Sequence, residues 1–371
     1  EALKLASARM KNSKVLALAG DLAPVEAMFA LKELIKNLNG KCESRTDGVK
    51  LPKGSRGGYA GTACIEDVDH AEHILIIGSN PRVEAPVFNA RIRKAWAQGA
   101  DIELVGQEVD LTYEYDYLGN DRSALKKLLK RSLNSEIKIK NSLIIVGMGA
   151  LIDEDGYGVL SLIQEISEVT ESRILMLHTA ASRVGAMDIG FSCDDNLSET
   201  VQESEVIFSL GMDEFDIDPG PFVIYQGSHG DRGAHRADII FPSAAYTEES
   251  GLFVNMEGRA QLAQRANFAP GEAKENWAIL RALSNELDEK LPYNSLIELR
   301  RLLFEEFPHL KDIGIVAKKE LKTLEKSNLK SVKFRNIIED FYLTNPIARS
   351  SEVMAELSSI TRSKDMKVAA E

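Results

Sequence analysis

Ile239, Ile240 and Phe241 form a short apolar run that Pro242 must stop, because proline cannot donate to a sheet ladder. The run therefore reads as a buried strand that ends in a loop. Gly251 opens a second extended piece, Leu252 to Asn255, and the Glu257-Gly258 turn presents Arg259 beside Asn255 and Gln261. Spacing alone makes this a hydrogen-bonded strand-loop-strand corner, or a polar cluster able to hold a large polar ligand. The same grammar recurs upstream. Val15 to Ala19 ends at Gly20, Ile74 to Ile77 at Gly78, and Leu143 to Val146 at Gly147. Helical periodicity follows the first of these through Met28, Leu31, Ile35 and Leu38, and the second through Phe88, Ile92 and Trp96. Buried strands alternating with helices predict an α/β fold, in which loops at the strands' carboxyl ends carry ligands.

Composition bounds what such a chain can do. Its 371 residues suggest about two domains. A net charge of −12 argues against nucleic acid or an anionic membrane surface as a direct partner. No apolar run approaches the ~20 residues that span a bilayer. The three cysteines, Cys42, Cys64 and Cys193, are too scattered for a disulfide framework, a zinc site or an iron-sulfur cluster, which wants four close thiolates. The opening Glu-Ala-Leu-Lys-Leu, without Met, suggests a fragment or a processed product.

Two motifs invite a functional reading. Gly147-Met-Gly149-Ala-Leu-Ile152 imitates the start of a dinucleotide fingerprint, but Ile152 takes the place of the third glycine, and no acidic residue ends a second strand at the expected distance. His229 and His235 lie on a Gly-rich run with no third ligand in register, so they read as hydrogen-bonded loop residues. The Gly-, Ser- and charge-rich stretch from Lys41 to Gly61 reads as a long loop. The three tyrosines of Leu111 to Gly119 read as packing. Helices are expected over 123–133, 159–169, 272–287 and 295–307, strands over 102–105, 174–177, 206–210 and 222–225, and a solvated Lys-rich helix over 316–333.

Asp238-Ile-Ile-Phe-Pro-Ser-Ala-Ala, Glu249-Ser-Gly and Asn255-Met-Glu-Gly-Arg-Ala-Gln resemble the signature of the molybdopterin oxidoreductase superfamily. The Gly78-Ser-Asn-Pro81 loop resembles that superfamily's pterin-binding half. Active enzymes commonly carry a His-Pro shortly after this loop, where this chain has Ala85-Pro86. The run Glu84 to Trp96, the stretch Leu111 to Gly119 and the tail Ile338 to Ser351 are similar instead to the family's degenerate branch, the large iron-sulfur subunit of respiratory complex I. The resemblance covers about Val15 to Ser351.

The resemblance implies two Rossmann-like three-layer α/β/α lobes followed by a helical tail, divided as 1–138, 139–271 and 272–371. It implies a carboxyl-terminal, structural part of a proton-pumping NADH:quinone oxidoreductase subunit, itself without a redox centre. Iron-sulfur clusters are expected only in an amino-terminal part of the parent subunit. Partners would be flavin- and cluster-bearing subunits of the peripheral arm, on the bacterial cytoplasmic face or the mitochondrial matrix side. Vestigial cofactor positions would be Gly78, Asn80, Asn255, Glu257 and Arg259, with Cys42 near the place of a molybdenum ligand and Arg183 to Gly190 a loop facing the cofactor. The alternatives are a retained molybdopterin or nucleotide site, or a free-standing module with an unrelated small ligand. The tail, poor in periodic apolar residues, is expected to dock on a partner or on its own body.

Overall fold

The computed structural model describes the whole chain except residues 135–139, 194–195, 214, 318, 320 and 369–371, and the side chains of 363–368. The chain begins with helix α1 (Ala2–Met10), strand β1 (Val15–Ala19), helix α2 (Val25–Asn37) and strand β2 (Lys41–Glu43). A crossing segment with the short helix α3 (Arg56–Ala60) leads to β3 (His73–Ile77), α4 (Pro81–Glu84), α5 (Pro86–Ala97), β4 (Asp101–Val105), β5 (Asp116–Gly119) and α6 (Arg122–Leu133). Then come β6 (Ser142–Gly147), α7 (Gly156–Thr170) and β7 (Arg173–Leu177). The chain returns through α8 (Arg183–Asp188) and α9 (Leu197–Glu203) to β8 (Val206–Leu210), β9 (Phe222–Gly227), α10 (Arg232–Arg236) and β10 (Ile239–Pro242). A hairpin, β11 (Gly251–Val254) and β12 (Ala260–Ala263), precedes α11 (Asn276–Glu286), α12 (Leu296–Glu306), α13 (Pro346–Arg349) and α14 (Glu352–Val368).

Two five-stranded parallel sheets result. The first has the order β10-β9-β8-β1-β2, the second β5-β4-β3-β6-β7. Every residue of β1, β6 and β8 is buried, as parallel strands covered by helices on both faces require. The expected lobes of 1–138 and 139–271 are corrected by this topology, and their shared boundary lies at residues outside those described. The second sheet, residues 73–177, is an insertion in the first, whose strands come from 15–43 and 206–242. Sequence order suggested a split in the middle because each β-α unit looks alike. Pairing of β1 with β8 in full register, Val15 to Val206 through Ala19 to Leu210, decides otherwise.

Three local expectations are also corrected. The 41–61 stretch is not a plain loop: Lys41 to Glu43 pair with Leu16 to Leu18, and Arg56–Ala60 is helical. Residues 183–188 are helical rather than a loop. The described part of 316–333 holds no helix, Lys318 and Glu320 lying outside the described residues. Its polar backbone atoms find partners on the body instead of on one another. Lys322 N donates to Ser55 Oγ at 3.0 Å, Leu324 N to Gln164 Oε1 at 3.0 Å, and Lys330 N to Asp155 Oδ2 at 2.8 Å. Leu321, Leu324 and Leu329 pack on the core, which is why their spacing mimicked an amphipathic helix. The tail Ile338 to Ser351 also meets the body, where Arg349 pairs with Asp231, one of the two expected arrangements.

Candidate functional site: the junction between the two sheets

The chain passes between the sheets twice, outbound through 44–72 and back through 178–205, and the two passages are tied to each other. The side chain of Asp188, at the end of α8, is wholly buried. Arg56 grips it through Nε and Nη2, each at 2.8 Å, and the Tyr59 hydroxyl donates to it at 2.7 Å. His309 Nε2 lies 3.4 Å away. Burial alone would raise this carboxyl, but His309 and Arg56 outweigh it and hold the group below the usual carboxylate range.

A second clasp lies alongside. Glu43 Oε1 accepts from the Ser44 and Arg45 amides and from Arg45 Nε, at 2.8–2.9 Å, while Cys193 N donates to Glu43 Oε2 at 3.2 Å. Arg45 also reaches the Cys193 carbonyl. Against the burial that opposes ionisation, the Arg45 guanidinium keeps Glu43 charged. The third clasp joins Arg183 Nη2 to Asp47 Oδ2 at 3.1 Å, and beside it His178 bonds the Tyr59 carbonyl at 2.6 Å. Burial drives His178 down to about 4, so it is neutral. Arg183 Nε and Nη1 and His178 Nδ1 have no protein partner in the interior.

The β11–β12 hairpin closes the junction. Asn255 Oδ1 accepts from the Glu257 and Arg259 amides, and Arg259 Nε donates to Glu257 Oε1 at 2.7 Å. Glu257 Oε2 takes the Ile65 amide at 2.7 Å, and the Gly258 carbonyl takes Arg56 Nη2 at 2.9 Å. Of the expected polar cluster, Arg259 meets Asn255, whereas Gln261 is exposed on β12 opposite Phe253, and Glu257 completes the set instead. Glu257 is only 2% exposed, and the Ile65 amide and Arg259 overcome burial to hold its carboxyl low.

Gly78 and Asn80 stand elsewhere, at the carboxyl end of β3. Gly78 has φ +58, and a Cβ there would lie 2.7 Å from Ala150, so the position needs glycine. The Asn80 amide and the Ser79 hydroxyl both donate to Glu84, each at 2.8 Å. A carboxylate of the chain thus takes the anion's place at this helix N-terminus. Cys42 lies on β2, where burial pushes its thiol up to about 12. Among the described residues no group of three His, Cys, Asp or Glu is placed to hold a metal. Of the charged side chains in the junction, Arg56 pairs with Asp188, Arg45 with Glu43, and Arg259 with Glu257, while Arg183 reaches Asp47 through Nη2 alone. Sequence reasoning did not bring together the Arg56–Tyr59 turn, Asp188 and His309, three places far apart in the chain.

His229 is hydrogen-bonded on its loop: its Nδ1 meets the neighbouring Ser228 hydroxyl at 2.9 Å and its carbonyl accepts from Tyr225. Beside it, at the carboxyl ends of the first sheet, lies a cavity of about 50 Å³ lined by Gln226, Ser243, Glu249 and Asn276. Glu249 accepts from the Asn276 amide at 2.9 Å and from its Nδ2 at 2.6 Å, yet burial raises its carboxyl to about 7.

Two parallel five-stranded sheets with glycine-turned carboxyl ends, joined through a polar hairpin, make a doubly wound α/β scaffold. The chain belongs to the molybdopterin oxidoreductase family, whose profile matches residues 1–286. Its tail is more particular: residues 311–357 match the carboxyl-terminal domain of the G-type subunit of NADH-ubiquinone oxidoreductase. The chain is 37% identical over 386 residues to the mitochondrial NADH-ubiquinone oxidoreductase 78 kDa subunit of Candida albicans, covering 96% of this chain and 53% of that one. It is 36% identical over 388 residues to the G-type subunit of the NADH-quinone oxidoreductase of Rickettsia conorii, covering 100% and 57%. The chain spans about half the length of these curated relatives. A chain of the formyltransferase/hydrolase complex of Methylorubrum extorquens shares the fold, with a TM-score of 0.54 at 16% identity over 78% of this chain and 95% of that one.

Proposed function

We propose that this chain is the carboxyl-terminal part of the large peripheral-arm subunit of a proton-pumping NADH:quinone oxidoreductase, and that it braces neighbouring subunits without a redox centre of its own. The observation that carries this reading is the junction: the place where two lobes of such a scaffold would face a cofactor is filled by Arg56–Asp188, Arg45–Glu43 and Arg183–Asp47. The named relatives supply the assembly. A body stiffened by buried ion pairs suits a brace, because such pairs fix one relative position of the elements they join.

Within that assembly the iron-sulfur clusters belong to a part of the parent subunit outside this chain, and electrons pass through that part. The partners are the flavin-bearing and cluster-bearing subunits of the arm, on the cytoplasmic face or the matrix side of the membrane. Attachment to the membrane goes through other subunits, in keeping with the described residues, none of whose helices is long and apolar enough to cross it.

Elemental analysis of the assembled complex, purified anaerobically, tests the reading. We expect iron and no stoichiometric molybdenum or tungsten, and co-purification of the chain with flavin-bearing and cluster-bearing subunits. One molybdenum or tungsten per chain would overturn the non-catalytic role. Recovery of the chain free of those subunits would overturn the assembly.

A further inference from the structure

The Gly147-Met-Gly149 motif is left unexplained by the brace, and the tail supplies an occupant for it. In a doubly wound sheet the ligand crevice lies at the carboxyl ends of the strands where the order reverses, and the second glycine of the fingerprint lets a ligand's pyrophosphate approach the backbone. In the second sheet that reversal falls between β3 and β6. A Cβ on Gly149 would lie 2.1 Å from the carbonyl oxygen of Arg335. The close approach that a dinucleotide's pyrophosphate would make is thus made by the tail's own backbone.

The first sheet repeats the arrangement. Its order reverses between β1 and β8, and the small cavity at their carboxyl ends is lined by Leu22 and Ala23 after β1 and by Gly211 after β8. Pro346 and Ile347, eleven and twelve residues beyond Arg335, form part of the wall of that cavity. The segment between the two positions is anchored on both sides. Phe334 is 2% exposed, with the Arg122 guanidinium 4.5 Å from its ring centroid, and Arg122 Nη1 donates to the Val332 carbonyl at 2.9 Å. Arg335 Nη2 reaches Asp153 at 2.7 Å. Farther on, Arg349 pairs with Asp231.

The geometry points to residues 332–349 as one continuous intramolecular ligand that occupies both switch-point crevices. A single strap seats its Arg335 carbonyl at Gly149 and its Pro346-Ile347 turn at the cavity beside Gly227. While it is seated, a nucleotide-sized molecule has no access to either crevice. The inference concerns contacts within one chain and does not depend on the assembly proposed above.

Hydrogen exchange followed by mass spectrometry on the full chain tests it. Phe334→Ala should raise exchange at least tenfold in peptides covering 147–151 while leaving 227–230 unchanged. Arg349→Ala should do the reverse, and the double variant should free both. Faster exchange within 332–349 with unchanged exchange at both crevices would overturn the inference. A measurement on the unaltered protein covers the case in which Phe334→Ala does not fold. In sub-denaturing urea, the Phe334 amide, which donates to the Asn120 carbonyl, should open with the same urea dependence as the 147–151 amides. Separate dependences would refute a shared opening.

Discussion

Replacing Asp188 with Asn is the sharpest perturbation of the junction. The shape is kept, but the charge that receives Arg56 Nε, Arg56 Nη2 and the Tyr59 hydroxyl at 2.7–2.8 Å is removed. The Arg56 side chain is 12% exposed and loses the carboxylate it grips, so a charge is left largely buried and unpaired. Breaking a buried pair in this way costs about 3–5 kcal/mol. Arg56→Met, the converse change, leaves Asp188 with Tyr59 and His309 and should cost a similar amount. The double variant buries neither charge. If the pair acts as one unit, the two single losses share one interaction, and a double-mutant cycle should show a coupling of about 2–3 kcal/mol. Urea unfolding measures this, and the two tryptophans make it specific. Trp96 lies on α5 beside the second sheet and Trp277 on α11 in the other lobe, so Trp96→Phe and Trp277→Phe backgrounds report each lobe alone. In the otherwise unaltered chain the two transitions should coincide, and in Asp188→Asn they should separate. A loss under about 1 kcal/mol, an additive cycle, or coincident transitions in the variant would refute the claim that these passages lock the sheets together.

The remaining predictions concern titration, backbone and thiols. Glu249 has a folded-state value of about 7, above its unfolded value of roughly 4.5, so the folded protein holds the extra proton. Its contribution to stability is full below that unfolded value and declines as pH rises to about 7. Glu249→Gln should flatten this decline in urea midpoints measured from pH 5 to 8, and an unchanged slope would assign it to other groups. Asp188 and Glu43, held low, act in the opposite sense: their stabilisation is present above the ordinary carboxylate range and is lost on acidification. Gly61→Ala would set a Cβ 2.2 Å from the Ile174 carbonyl at φ +66 and should abolish folding, judged by soluble yield and circular dichroism. Gly54→Ala has a similar φ of +67 in open space and should cost only about 1–2 kcal/mol. Cys42, half-buried with its thiol pushed up to about 12, should react with iodoacetamide at neutral pH far more slowly than a free thiol; labelling of the native chain at the free-thiol rate, read by mass spectrometry, would contradict this.

Much of this was legible in the residues. Runs such as Val15–Ala19 and Ile74–Ile77 are apolar on both faces and end in glycine, and that pattern survives only in buried parallel strands, so strand positions and fold class followed from local chemistry. Gly78 declared its turn, and Asn255 to Arg259 declared a polar hairpin. The course of 316–333 did not declare itself. Leu321, Leu324 and Leu329 suggested a helix, and only the proximity of Ser55, Gln164 and Asp155 makes the non-helical form the better one.

What the sequence determined by itself is most of the strands and helices, because propensity, periodicity and turn chemistry act over a few neighbouring residues, while the family followed from the resemblance of its motifs. What only the tertiary structure decided is which strands share a sheet and which charges meet. Val15 and Val206, or Arg56 and Asp188, are brought together by packing over more than a hundred intervening residues, and no local pattern encodes such a distance.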